Sequence, residues 1–168
     1  MTVFSGASSV DIAAPVADCF ELVCDTARTP QWHQAICGVE ILERDADGRT
    51  SLVRAKIDAM VARVDLTLRL RYEEPHVVSM SRESGDLRQL SATWTFEELG
   101  HGRTAASFHT EFDPGRVLSV FARGPIIERL RALLAEQPTT GLKHAIEREQ
   151  QGSSAVTRAE GETNRSSS

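Results

Sequence analysis

The chain has little aromatic surface: one Tyr, two Trp and six Phe in 168 residues. Its core must come mostly from Val, Leu, Ile and Ala, and a hydrophobic content of 40% is enough to build one. Long apolar runs are missing too. No stretch approaches the roughly 20 residues needed to span a bilayer. The first twenty residues, with Asp11, Asp18 and no basic cluster, do not read as a secretory signal. Positive charge is not in excess: 19 Lys and Arg against 24 Asp and Glu give a formal net charge of -5, the wrong sign for a chain that holds nucleic acid electrostatically. Cys19, Cys24 and Cys37 form neither a CxxC pair nor a zinc spacing with any His, so reduced thiols are expected, with no disulfide framework and no metal site. No Gly-rich loop feeds a helix, since Gly100-His101-Gly102 reads as a hairpin turn, and no Ser sits in a nucleophile elbow. These absences leave a soluble cytoplasmic domain with no cofactor implied.

What is present is periodicity. Val3 to Ile12 reads as a first strand that closes at Ala14-Pro15, and Pro15 suits the start of a helix, where its missing amide is harmless. Val16, Cys19, Phe20 and Val23 then mark one helical stripe. Pro30 opens a second short helix carrying Trp32, His33 and Ile36, and Gly38 releases the chain. From Val39 the period is two. The clearest strand sets Val64, Leu66, Leu68, Leu70 and Tyr72 against Asp65, Thr67, Arg69 and Arg71, one dry face and one wet, as in an antiparallel sheet. Short connections at Asp47-Gly48, Pro75, Gly85-Asp86 and Gly100-Gly102 make a meander of hairpins. Ile126, Ile127, Leu130, Leu133, Leu134, Leu142, Ala145 and Ile146 lie at helical spacing and predict a long amphipathic helix, kinked or broken at Pro138. The order is strand, two short helices, six strands, long helix, and only that last helix can cover the dry face of the sheet. Small inward residues (Ala55, Ala59, Ala92, Ala106) leave room for a cavity between them. From Gln150 to Ser168 the apolar side chains are Ala155, Val156 and Ala159, too few to order a segment, so residues 1–149 are expected as the domain and 150–168 as a disordered tail.

The segment Ser9-Val10-Asp11-Ile12-Ala13-Ala14-Pro15-Val16, followed by Phe20, Asp25 and Pro30-Gln31-Trp32, resembles the opening of the START-like (Bet v 1-like) superfamily. More narrowly it resembles the polyketide cyclase/dehydrase and lipid-transport group, as do Val39-Glu40-Ile41-Leu42, Gly48-Arg49 and the closing Gly141-Leu142-Lys143-His144-Ala145-Ile146-Glu147. The resemblance implies an α+β helix-grip fold: a seven-stranded antiparallel sheet curled around a long C-terminal helix, with two short helices after the first strand and an internal apolar cavity. It carries Pro15, Trp32 and Glu147 over as fold determinants, not as catalysts.

Trp32, His33, Ile57, Leu68, Leu70, Tyr72, Trp94, Phe108, Thr110, Leu130 and Leu134 are the expected ligand-binding residues, with Tyr72, Trp94, Thr110 and His33 supplying the polar groups of an otherwise apolar pocket. His33 is placed near the cavity entrance, where it or Tyr72 is the candidate to move a proton. His144 is a further candidate for a ligand contact, and Glu43 falls on the inward phase of its strand. Arg49, Arg54, Arg69 and Arg71 lie on outward phases or near turns, among acids that dilute them. The expected function is binding or transport of an apolar or amphipathic small molecule such as a lipid, polyketide or quinone. The open alternatives are an aromatase/cyclase or dehydratase acting on a polyketide-like substrate, and a non-catalytic protein-interaction domain. The partner is a small molecule, not nucleic acid or an integral membrane site, and the chain is a monomer or a homodimer. Pro138 and Gly141 are expected to let the last helix flex and open the entrance.

Overall fold

The computed structural model describes residues 3–60, 62–119 and 124–163. Strand β1 (Phe4–Ile12) leads through Pro15 into helix α1 (Val16–Cys24), a 3-10 turn (Thr26–Arg28) and helix α2 (Thr29–Trp32). The meander follows: β2 (Ile36–Arg44), β3 (Thr50–Asp58), β4 (Arg63–Glu73), β5 (Val77–Gly85), β6 (Gln89–Gly100) and β7 (Arg103–Asp113). All seven strands form one antiparallel sheet in the order β1-β7-β6-β5-β4-β3-β2, so β1 and β2 are its edges. This is the helix-grip arrangement, and the strict alternation of β4 carries through as Val64, Leu66, Leu68 and Leu70 buried on one face. After α3 (Gly115–Ser119), the last helical rod runs through α4 (Pro125–Arg131), a π-helical turn (Ala132–Glu136) and α5 (Gln137–Thr163).

The rod is weakened at Pro138 but does not break there. Pro138 is buried and has no amide to donate, and the preceding turn widens to π geometry. The π turn lies against β1: the Ser8 hydroxyl donates to the Ala135 carbonyl at 2.5 Å and lies 3.0 Å from the Thr139 hydroxyl. Gly6 allows that approach, because a Cβ on it would collide with the Ala135 side chain. Gly141 has the same use on the other side. A Cβ there would collide with the Trp32 carbonyl oxygen, so this glycine brings helix and α2 into backbone contact where the sequence suggested flexibility. Helix α5 also continues past Gln150, with residues 150–156 exposed. This extension includes Gly152, Ser153, Ser154 and Gly161, weak helix formers, and follows a helix already nucleated by packing against the sheet. Residues 164–168 of the expected tail lie outside the described residues. No helix among the described residues is long and apolar enough to cross a membrane.

The interior is two apolar clusters. One joins α1, α2 and α5 to β5, β6 and β7 through Phe20, Trp32, Trp94, Phe96, Phe108, Leu142 and Ile146. The other joins β3 and β4 to Leu90, Phe112 and Leu130, with Leu133 and Leu134 of the π turn against it. Tyr72 and Met80 touch both.

Candidate functional site

A cavity of about 80 Å³ lies at the seam between the two clusters. Val23, Trp32, Val78, Ala92, Trp94 and Phe108 face it from one side, and Ala35, Ile57, Leu68, Leu70 and Leu90 from the other. Met80, Leu134, Thr110 and His33 complete the wall together with Thr26, Thr29 and Ile36. Among the described residues no Asp, Glu, Lys or Arg lines it. Its volume is about half of the roughly 150 Å³ that takes benzene, so a larger guest needs side chains to move. Its aromatic wall is ordered: Trp94 stacks on Phe96 with ring centroids 5.9 Å apart and lies 4.7 Å from Phe108, and Trp32 meets Trp94 edge-on at 5.9 Å.

Inward phase on the strands brings Ile57, Leu68, Leu70, Trp94, Phe108 and Thr110 together as the sequence predicts, and the helices add Trp32, His33 and Leu134. Two expected residues stand apart. Leu130 is buried in the second cluster without reaching the cavity. Tyr72 shares the inward phase, but its hydroxyl donates to the Thr50 carbonyl at 2.6 Å and burial pushes its pKa up, so it is a neutral strut at the rim. Thr110 likewise gives its hydroxyl to the Ser91 carbonyl, at 3.1 Å. His144 is exposed on α5. Glu43 does not point inward: a register shift between Ile41 and Glu43 turns it out to Arg69, 2.9 Å away. Wall residues beyond the expected binding set are Val23, Thr26, Thr29, Ala35, Ile36, Val78, Met80, Leu90 and Ala92. Val78, Leu90 and Ala92 lie on inward strand phases, which is the signal that marks them.

His33 lies deeper than the entrance position expected for it, at 9% exposure. It is the C-cap of α2, in extended conformation (φ -99°, ψ 103°), so the chain turns out of the helix and both Trp32 and His33 line the cavity. Desolvation lowers its pKa to about 4, which leaves the ring neutral at physiological pH. His33 Nδ1 and Trp32 Nε1 are both buried without a hydrogen-bond partner. Each such atom costs about 1–3 kcal/mol if nothing meets it. The backbone around them is firmly held. The His33 amide donates to the Thr29 carbonyl at 2.9 Å, while the Gln137 side-chain amide donates to the Trp32 carbonyl at 3.2 Å and accepts from the Gln34 amide at 3.0 Å.

A second hollow adjoins the first at Thr26, a groove of about 1140 Å³ between α1, the β2–β3 turn and α5. It is polar and carries Arg28, Arg44 and Arg49 beside Asp18, Glu21, Glu74 and Glu149. Arg49, 17% exposed in its side chain, pairs with Glu21 at 2.9 Å and with Glu74, and its guanidinium lies 5.1 Å over the Phe20 ring and 5.7 Å from the Tyr72 ring centroid. Burial pushes the neighbouring Cys24 thiol up to about 12 and Cys19 up to about 11, so neither is a ready nucleophile. Among the described residues no group of three or more His, Cys, Asp or Glu side chains converges as a metal site would need.

A family model described as polyketide cyclase / dehydrase and lipid transport matches residues 12–137. No curated protein matches in sequence. Similar solved structures include a START superfamily protein from Mycobacterium smegmatis, 21% identical over 86% of this chain and 97% of that one, with a TM-score of 0.74. The Zhui aromatase/cyclase from a Streptomyces species is 19% identical over 88% of this chain and 95% of its own, with a TM-score of 0.73. A Thermus thermophilus protein is 15% identical over 87% and 99%, with a TM-score of 0.74.

Proposed function

The chain belongs to the polyketide cyclase/dehydrase and lipid-transport family, and from that premise we propose that it binds an uncharged apolar or amphipathic small molecule in the cavity between sheet and last helix. One observation carries this reading: the cavity sits where two packed clusters fail to close on each other, and no ionised side chain among the described residues lines it. A guest there gains ~25 cal/mol per Å² of apolar surface removed from water. The alternative of an aromatase/cyclase or dehydratase would place proton transfer on His33, the one cavity-lining imidazole, since Tyr72 is committed to Thr50. A base whose conjugate acid has a pKa near 4 is weak at neutral pH, which favours binding over catalysis.

Native mass spectrometry and organic extraction of protein purified from its own host test the proposal, together with tryptophan emission. Trp32 and Trp94 are the only tryptophans and both line the cavity, so any occupant changes their emission. An extracted uncharged molecule that restores the emission of the native preparation is the expected result. Emission indifferent to every uncharged apolar compound tried, with nothing extracted, would overturn the reading.

A further inference from the structure

We infer that the occupant is a compact uncharged ring bearing a hydroxyl or carbonyl oxygen, of the phenol type, anchored by that oxygen on Trp32 Nε1 and His33 Nδ1. The inference rests on the binding reading above and adds the polar anchor, the charge and the size of the guest.

The anchor follows from the two partnerless atoms. Both belong to side chains more than nine-tenths buried, both side chains line the same cavity, and their ring centroids lie 5.9 Å apart; the nitrogens themselves are closed to a molecule the size of water, so a guest meets them only as the wall opens. The backbone that carries them is held, since Gln137 bonds it on either side of His33 and Gly141 lies against the Trp32 carbonyl. The indole can only donate, so the guest must offer an acceptor. The imidazole nitrogen donates or accepts according to its tautomer, and a hydroxyl satisfies either case. The charge follows from the wall. A carboxylate or an ammonium would lose its hydration without meeting an opposite charge, whereas a neutral oxygen would not.

The size follows from the volume. A cavity of roughly 150 Å³ takes benzene, and about 80 Å³ is present. A single ring enters if Met80, with its flexible thioether, and Leu134, on the π turn, give way. A fused polycycle or a long acyl chain would have to part the two clusters entirely.

The test uses the full chain with phenol, toluene and benzoate as probes. Phenol is expected to shift the Trp32 indole N–H and the His33 Nδ1 nitrogen resonances, and toluene to enter while moving both far less. In calorimetric titration the phenol-to-toluene affinity ratio should fall about tenfold in both His33→Leu and Trp32→Phe, and benzoate should not bind. Toluene binding in each variant shows that the cavity has survived. If a variant does not fold, the resonance shifts in the unsubstituted protein decide the matter. Phenol and toluene both binding with a ratio that neither variant changes would overturn the anchor and leave the binding reading intact, and water would then be what meets the two nitrogens. Tight benzoate binding would also overturn the inference. Failure of both toluene and phenol to enter would overturn the size and the anchor, and a different uncharged molecule extracted from the native protein would leave the binding reading standing.

Discussion

Two hollows share Thr26, and they are opposites. The groove is more than ten times the larger and is polar, yet its polar groups answer one another: Arg49 with Glu21 and Glu74, Arg28 with Glu149, Gln150 with Asp18, Arg44 with the Gly48 carbonyl. The cavity is small and apolar, yet two nitrogens of its wall residues meet no hydrogen-bond partner among the described residues. The Thr26 and Thr50 hydroxyls, 2.8 Å apart and buried, stand between them. Volume is therefore a poor guide to function here. Unmet hydrogen bonding in a dry place is the better one, because it is the feature that folding alone would have removed.

The largest effect that should separate the two is a response to acid. His33 titrates near pH 4 when folded and near 6.5 when unfolded, so the unfolded chain takes up the proton first. Its contribution is complete above pH 6.5 and is lost as the pH falls towards 4, by roughly 3 kcal/mol. Urea unfolding at pH 7 and pH 4.5 should show a steeper loss in the native chain than in His33→Leu, and equal losses would contradict the burial argument.

Next in size is Gly141→Ala. The added methyl meets the Trp32 carbonyl, so helix and α2 must separate at a cost of about 2–3 kcal/mol, and ring binding should weaken with it. Thermal melts alongside toluene titrations would show both losses together. Leu134→Ala should split them: about 2 kcal/mol less stable, since the side chain is only partly buried, but a tighter binder of toluene because the ring then needs less displacement. A weaker affinity would mean that Leu134 holds the guest rather than crowding it. Smallest is Arg49→Ala, which removes two ion pairs and the ring contacts in the groove for about 1 kcal/mol. Toluene and phenol affinities should not change. If they do, the groove belongs to the binding path.

The sheet was legible because Val64 to Tyr72 alternates without error and Gly, Asp or Pro punctuates most of the turns. Much of the cavity wall was legible for the same reason, since inward phase is a property of the strand alone. Phase does not report where a side chain's far end goes, so Tyr72 was placed on the correct face and its hydroxyl in the wrong company. It also fails across a bulge, which is what turned Glu43 outward. His33 was misjudged because its depth depends on a single extended residue after a four-residue helix, too short for any periodicity to register. The groove was invisible altogether. Its parts come from α1, the β2–β3 turn and the far half of α5, each of which reads as ordinary solvated surface by itself.

The Gln137 amide bridges the end of the π turn to the backbone on both sides of His33. The π turn and the Trp32–His33 pair are thereby joined through one planar group, so neither can move far without stretching two bonds at once. On the proposed binding reading, a guest that displaces Leu134 pulls on the same amide that holds the backbone at His33, so entry and anchoring are mechanically coupled.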